Sequence, residues 1–355
     1  MSSSSSDGSN AAESDDDEFF ATVLDDLPPV HGAFAYGSAV FGQRGYTVAQ
    51  RRSAMVDLIV VVDNTVDWHA ANISGGNASH YSAIGRGLGI EWLQPIGGGM
   101  YYNHAHLRGR LVKYGVIGRD ALLDDLHTWS SLYAGGRLHK PVRTLTPWQS
   151  DVAPLVDANL RSALEASLLL LPARFEAAAL FRTICGLSYD GDVRMGIGES
   201  GRKPANIAAG QEGALAELYG PSITALEEEA RLLTYGEDVE MVSQDVSLSS
   251  RLSLLSSLPS HVQQTLLLQL RPERANEPLG AAHYLDEAAR DLWRSAPNEQ
   301  EANKRLSAAL RSSLFRIVRR SSLAQTVKGI ATAGLGTSIA YAISKMRKRR
   351  VQDRG

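Results

Sequence analysis

The sequence predicts an α+β protein, with a mixed β-sheet in its first half, a mainly helical region after it and a basic C-terminal segment. Three observations carry this. The run Asp57-Leu58-Ile59-Val60-Val61-Val62 is apolar and mostly β-branched after its first residue, the pattern of a central strand buried on both faces. From Glu212 to Leu314 the pattern is mostly helical, broken at Pro259, Pro272, Pro278 and Pro297. From Ala302 to Gln352 the chain carries twelve Lys and Arg and neither Asp nor Glu, so a net charge of −3 leaves −15 on the remainder. A segment so one-sided seeks an anionic partner.

Residues 1–18 are Ser-rich and then acidic, a composition that predicts disorder. They lack the arginine-rich, acid-poor character of an organelle transit peptide. After Pro28-Pro29, Gly32-Ala33-Phe34-Ala35-Tyr36 is the first strand and Asp57–Val62 the second. Trp68–Ile84 reads as a helix and loop, and Leu111–Ile117 as a further strand. Ala121–Tyr133 is helical, with Leu122, Leu126, Trp129 and Leu132 near a period of 3.6. Asp157–Leu170 and Ala173–Ile184 form a pair of helices, and Leu187–Ile197 returns as a strand. With 355 residues, 44% of them apolar, two domains are expected. The divisions fall at 1–18 (disordered), 19–210 (sheet domain), 211–320 (helical domain) and 321–355 (basic tail). The one cysteine, Cys185, sits among Phe181, Ile184 and Leu187 and reads as a buried thiol, which excludes a disulfide framework.

The chemistry is read from Tyr36-Gly37-Ser38-Ala39-Val40-Phe41 and the Asp-led strand after it. A Gly-Ser turn lets a triphosphate approach backbone N–H groups, and Ser38 adds a hydroxyl. Asp57 at a strand start can hold Mg²⁺ against that triphosphate. This is the layout of a nucleotidyltransferase site. Such sites usually carry a second carboxylate two residues on, where this chain has Ile59. Asp63 has the right strand parity, but lies about 20 Å away along the strand. Lys113, inside an apolar run, either snorkels at an edge or is aimed at an anion. Arg137, His139 and Lys140 are compact and basic, a solvated turn or a phosphate clamp, and Arg194 poses the same choice. Asp192 after Gly191 reads by itself as a turn residue. His104-x-His106 has zinc-like spacing, but nothing nearby completes a ligand set.

Further blocks stand in order along the chain: Met55-Val56-Asp57-Leu58-Ile59, Trp68-His69 with Asn72, His80-Tyr81-Ser82, Met100-Tyr101-Tyr102-Asn103 and Lys113-Tyr114-Gly115-Val116-Ile117. They continue with Leu132-Tyr133-Ala134-Gly135-Gly136-Arg137-Leu138-His139-Lys140-Pro141-Val142 and Leu187-Ser188-Tyr189-Asp190-Gly191-Asp192-Val193-Arg194-Met195, then Glu199, Lys203 and Asn206. With the Gly37-Ser38 block, this order resembles the mitochondrial-type phosphatidate cytidylyltransferases, or CDP-diacylglycerol synthases, also known as maintenance factors of the mitochondrial import translocator. The resemblance runs from about Phe34 to the basic tail. It implies a nucleotidyltransferase domain of the polymerase-β type with a mixed sheet, then a mainly helical domain for which a winged helix is one form. It implies transfer of CMP from CTP to phosphatidic acid, giving CDP-diacylglycerol and pyrophosphate for cardiolipin and phosphatidylglycerol synthesis. Tyr36, Gly37, Ser38 and Lys113 would hold the nucleotide, and Asp57, Asp192 and Lys113 would act in catalysis. Asp57 and Asp192 would bind Mg²⁺, the second offsetting Ile59. Arg137, His139, Lys140, Arg194 and Lys203 would meet phosphate or the lipid head group. Ala39 stands where a glycine is more usual.

Leu323–Ile343 is too polar and glycine-rich to span a bilayer. With Lys345-Met346-Arg347-Lys348-Arg349-Arg350 behind it, it reads as a peripheral segment on an anionic membrane surface, each basic residue there contributing on the order of 1 kcal/mol. No nucleic-acid recognition motif accompanies the basic tail, so a nucleic-acid partner is not expected. The resemblance implies the matrix side of the mitochondrial inner membrane, although a transit peptide is not evident. Two other readings remain at this point: a nucleotidyltransferase with another acceptor, and a non-catalytic membrane-peripheral scaffold.

Overall fold

The computed structural model describes residues 15–41, 54–87, 89–195, 201–228, 234–235, 241–274 and 280–333. Strand β1 (Gly32–Tyr36) and strand β2 (Val56–Val62) coincide with the two expected strands. Helix α1 (Thr65–Ser74) comes next, its first turn capped by the Asn64 side chain. Strand β3 (Met100–Leu107) and strand β4 (Arg110–Gly118) form a hairpin, succeeded by helix α2 (Arg119–Thr128). Beyond a short helix, Gly135–Leu138, come β5 (Arg143–Thr144), helix α3 (Ala153–Leu170), β6 (Arg174–Glu176) and helix α4 (Ala177–Gly186).

The rest is mainly helical: α5 (Lys203–Gly210), α6 (Glu212–Glu228), α7 (Leu248–Ser256), α8 (Ser260–Leu270), α9 (Ala281–Ser295) and α10 (Glu299–Ala333). Two short strands, β7 (Thr234–Tyr235) and β8 (Met241–Ser243), join β6 in a small sheet of order β6-β8-β7.

The main sheet has the order β3-β4-β2-β1-β5. β2 lies at its centre, parallel to β4 and antiparallel to β1, which makes the sheet mixed. One face carries Ala33, Ala35, Leu58, Val60 and Tyr114 and packs with Phe19, Phe20 and Trp68. The other carries Phe34, Ile59, Val61 and Ile117 and joins a core that continues through Leu164 and Leu266 to Leu310 and Val318. The helices beyond residue 211 therefore share one apolar core with the sheet.

Several expectations change. Of the segment 1–18 expected to be disordered, residues 1–14 lie outside the described residues, and 15–18 belong to a helix that runs to residue 22, because Phe19 and Phe20 are buried and Arg110 and Arg143 pair with Asp16 and Asp17. Strand β3 is not predicted by the sequence pattern. It alternates buried and more open residues along an edge, with His104 and His106 exposed and His104 opposite Lys113 of β4. Helix α2 ends at Thr128 instead of reaching Tyr133, because Trp129 and Leu132 adopt left-handed backbone at φ 57° and 52°. The segment 187–194 forms turns rather than a strand, closed by bonds such as Tyr189 N–H to Gly186 O at 2.8 Å and Asp192 N–H to Tyr189 O at 3.0 Å. Gly191 makes this possible: its φ is +97°, and a Cβ there would lie 2.4 Å from the Phe315 carbonyl oxygen of α10. The division at residue 321 falls inside α10, whose Ser322, Gln325 and Lys328 are buried against the sheet domain. The remainder of the expected membrane segment, 334–355, lies outside the described residues. Among those described, no helix is long and apolar enough to cross a membrane.

The register explains the missing acid. Ile59 is fully buried, opposite Phe34 on β1 and Gly115 on β4. A carboxylate there would lose its water without gaining a cation. Ile59→Asp is expected to lower unfolding free energy by about 3 kcal/mol or more, read by urea denaturation.

Candidate active site

Three neighbouring strands bring the expected nucleotide residues into one row. Tyr36 of β1 stands opposite Asp57 of β2, which stands opposite Lys113 of β4. Residues directly opposite share a face of the sheet, so the three side chains project together beyond the apolar residues Phe34, Ile59 and Val61. The Lys113 ammonium lies 3.7 Å from Asp57 Oδ1 and 4.3 Å from the centre of the Tyr102 ring.

Gly37 comes next at φ +86° and turns the chain into a helical turn, with the amides of Val40 and Phe41 bonded to its carbonyl at 3.1 and 3.0 Å. A Cβ on Gly37 would sit 3.4 Å from Asp57 Oδ2. The glycine thus leaves open space beside the carboxylate, and Ser38 stands at the start of that turn.

Opposite this row stands the loop after α2, organised by one buried acid. Asp125 Oδ1 accepts from the Ser131 and Leu132 amides and the Ser131 hydroxyl at 2.7–2.8 Å. Its Oδ2 accepts from the Ala134 and Gly135 amides, each at 2.9 Å. The carboxylate thereby caps the short helix that carries Arg137. Arg137 donates to the Tyr133 carbonyl and, at 3.0 Å, to the Tyr102 hydroxyl. Its guanidinium lies 4.0 Å from the Tyr133 ring and 5.5 Å from that of Tyr36. Lys113, Arg137 and Arg194 all act electrostatically on Tyr133.

Lys140 continues the cluster. It donates to the Gly136 carbonyl and to Ser188 Oγ at 2.9 Å, and stands 5.2 Å from the Tyr189 ring. Lys203, at the start of α5, is 5.4 Å from the same ring. Burial, reinforced by Arg137 and Lys203, brings the Lys140 ammonium down to about 8 even though Cys185 nearby opposes the shift.

The two expected metal ligands differ. The Asp57 side chain is 29% exposed and faces the Gly37 turn, whereas that of Asp192 is 5% exposed. Both Asp192 oxygens accept from the Arg194 guanidinium at 2.6–3.2 Å, and Oδ1 also accepts from the Ser322 hydroxyl of α10 at 2.9 Å. Despite burial, these bonds hold its carboxyl below the usual carboxylate range.

His139 is a correction. It is fully buried, and its Nε2 donates to Asn159 Oδ1 at 3.1 Å while its ring lies 5.0 Å from that of Trp129. Burial, with Lys140 next to it, lowers its pKa to about 3. A neutral interior imidazole cannot meet a phosphate; it fixes the turn between Arg137 and Lys140.

Sequence reasoning missed Asp125, Tyr102, Tyr133, Asn159 and Ser322. Tyr102 and Tyr133 stand in blocks singled out above without a role, and Asp125 left a signal as an acid ahead of a Ser130-Ser131 loop that short polar side chains favour.

Several half-buried cations ringed by tyrosines, with one accessible carboxylate among them, suit an α+β protein that handles phosphate groups. Comparison makes that class particular. Residues 20–348 match the family described as phosphatidate cytidylyltransferase, mitochondrial. Relatives of that name from Xenopus laevis, Danio rerio and Drosophila melanogaster are 38%, 35% and 34% identical. The matches cover 93%, 93% and 91% of this chain, and 94%, 94% and 95% of theirs. The chain belongs to the mitochondrial phosphatidate cytidylyltransferase family, a family of nucleotidyltransferase enzymes.

Proposed function

We propose that this protein transfers CMP from CTP to phosphatidate, forming CDP-diacylglycerol and releasing pyrophosphate. Membership of the family supports the reaction, and the row Tyr36–Asp57–Lys113 facing Arg137 is the observation that carries its location. In this reading the sheet with Gly37 and Asp57 is a nucleotidyltransferase unit of the polymerase-β type, and the mainly helical part over 211–320 takes a winged-helix form. Gly37, Ser38 and Lys113 hold the triphosphate, with Tyr36 beside it. Arg137, Arg194, Lys140 and Lys203 receive the phosphates of nucleotide and lipid.

The phosphate monoester of the lipid is already nucleophilic at neutral pH, so its oxygen attacks the α-phosphorus without a dedicated base. The cations stabilise charge on the transferring group and the departing pyrophosphate, and the locked loop holds them ready. Mg²⁺ would be held by Asp57, whose open carboxylate beside Gly37 fits it, and when bound it would neutralise charge on the reacting oxygens. Asp192, engaged by Arg194 and Ser322, would orient Arg194 in this arrangement. The names of the relatives support a mitochondrial setting. We extend this to a peripheral place on the matrix side of the inner membrane, held through the basic C-terminal segment, and to supply of cardiolipin synthesis.

Purified protein with phosphatidate liposomes, Mg²⁺ and labelled CTP should yield CDP-diacylglycerol; no product from a folded, liposome-bound protein would refute the reaction. Asp57→Asn should lower kcat at least about 100-fold, whereas Asp192→Asn should lower kcat/KM only about tenfold, mainly by raising KM for CTP. An equal loss in both would put both carboxylates on the metal. Lys140 adds a pH dependence. It loses its proton as pH rises through about 8, so kcat/KM should fall above that pH, and Lys140→Arg should move the fall upward. A fall unmoved by Lys140→Arg would remove Lys140 from phosphate binding.

A further inference from the structure

A cleft of about 280 Å³ lies beside the basic cluster, between α4, the turn after it, the start of α5 and α10. Leu170, Ala179, Leu187 and Leu314 give it an apolar side, and Arg182, Thr183, Asp190 and Arg311 also line it, the last two paired with each other. A second hollow shares Arg311 and leads along α10 to Phe315, an exposed aromatic ring. At its other end, the cleft meets the turn that carries Tyr189, the ring faced by both Lys140 and Lys203. Pro204, next to Lys203, also lines the cleft.

Hydrocarbon side chains and guanidinium groups in the cleft, with two lysines on the adjoining turn, suit an amphiphile with an anionic head joined to an alkyl chain. We propose that this cleft seats an acyl chain of the phosphatidate acceptor and directs its phosphate toward Lys140 and Lys203. The proposal rests on the reaction given above and adds where the lipid lies. Arg311, which pairs with Asp190 at 3.1 Å, ties α10 to the same turn, so the lipid seat and the Asp192 turn share one support.

Gly186, the last residue of α4, lines this cleft, and a Cβ added there meets nothing within 4 Å. Gly186→Phe therefore has room to place its ring in the cleft, and Gly186→Ala serves as the control for the helix end. Rates should be measured with dioleoyl phosphatidate in mixed micelles and with water-soluble dibutyryl phosphatidate. Gly186→Phe should lower kcat/KM for the long-chain lipid about tenfold or more, and change the short-chain rate and KM for CTP less than about twofold. An equal loss for both lipids, or no loss for either, overturns the proposal. Should the wild type convert neither lipid, the reaction itself fails, and the cleft is tested separately by labelling. A phosphatidate with a diazirine at the end of its acyl chain should then mark residues 179–187 or 311–315 of the wild type. Labelling confined to other parts of the chain overturns the proposal without any activity measurement.

Discussion

The Asp125 carboxylate holds the chain from Ser131 to Gly135 in a conformation that would otherwise not persist. Leu132 is left-handed, the loop is tight, and the amides at its end would lack partners. Five hydrogen bonds to one buried acid remove that difficulty. The basic side of the site depends on them. Tyr133 and Arg137 stand on this loop and its helix, Lys140 lies one turn later, and the Ser321 hydroxyl of α10 donates to the Ser131 carbonyl at 2.7 Å. Asn159 secures the other side, accepting from Trp129 and His139 and donating to the Gly135 carbonyl at 3.2 Å.

Against this loop the sheet presents a row set by its register. Asp57 is accessible because it lies near the start of β2, while two residues further the strand is already interior. The carboxylate lacking at Ile59 thus has a packing reason. Helix α10 completes the enclosure. Its Ser322, Gln325 and Lys328 reach Asp192, the Met100 carbonyl and the carbonyls of Gln94 and Ile96. Burial lowers the Lys328 ammonium to about 7. A lysine that reads as part of a membrane-facing segment is instead part of the contact between α10 and the sheet domain.

How much of this is legible in the sequence depends on whether the determinants are local. β1, β2 and β4 are apolar runs whose burial is written in their composition, and the sequence pattern places them with nearly their observed ends. The glycine turn and the place of Asp57 near the start of β2 are legible because both are set locally. β3 is not, because an edge strand with two exposed histidines has weak alternation. The turns at 187–194 read as a strand because Leu187, Tyr189, Val193 and Met195 alternate, and only the close approach of Gly191 to Phe315 shows why the chain bends. His139 looks basic and available in the sequence, yet its burial depends on Trp129 and Asn159, contributed by separate segments. Long-range contacts of this kind leave no periodicity to read.

The most direct test of this account is hydrogen exchange of residues 131–140, with and without CTP, in the wild type and in Asp125→Asn. The substitution keeps the shape of the side chain but removes its charge and two of its acceptor positions. CTP should slow exchange over this segment in the wild type. In Asp125→Asn the same amides should exchange faster, and CTP binding should weaken at least about tenfold with the rest of the fold intact. Unchanged CTP affinity alongside faster exchange would contradict the claim that this one carboxylate assembles the phosphate site.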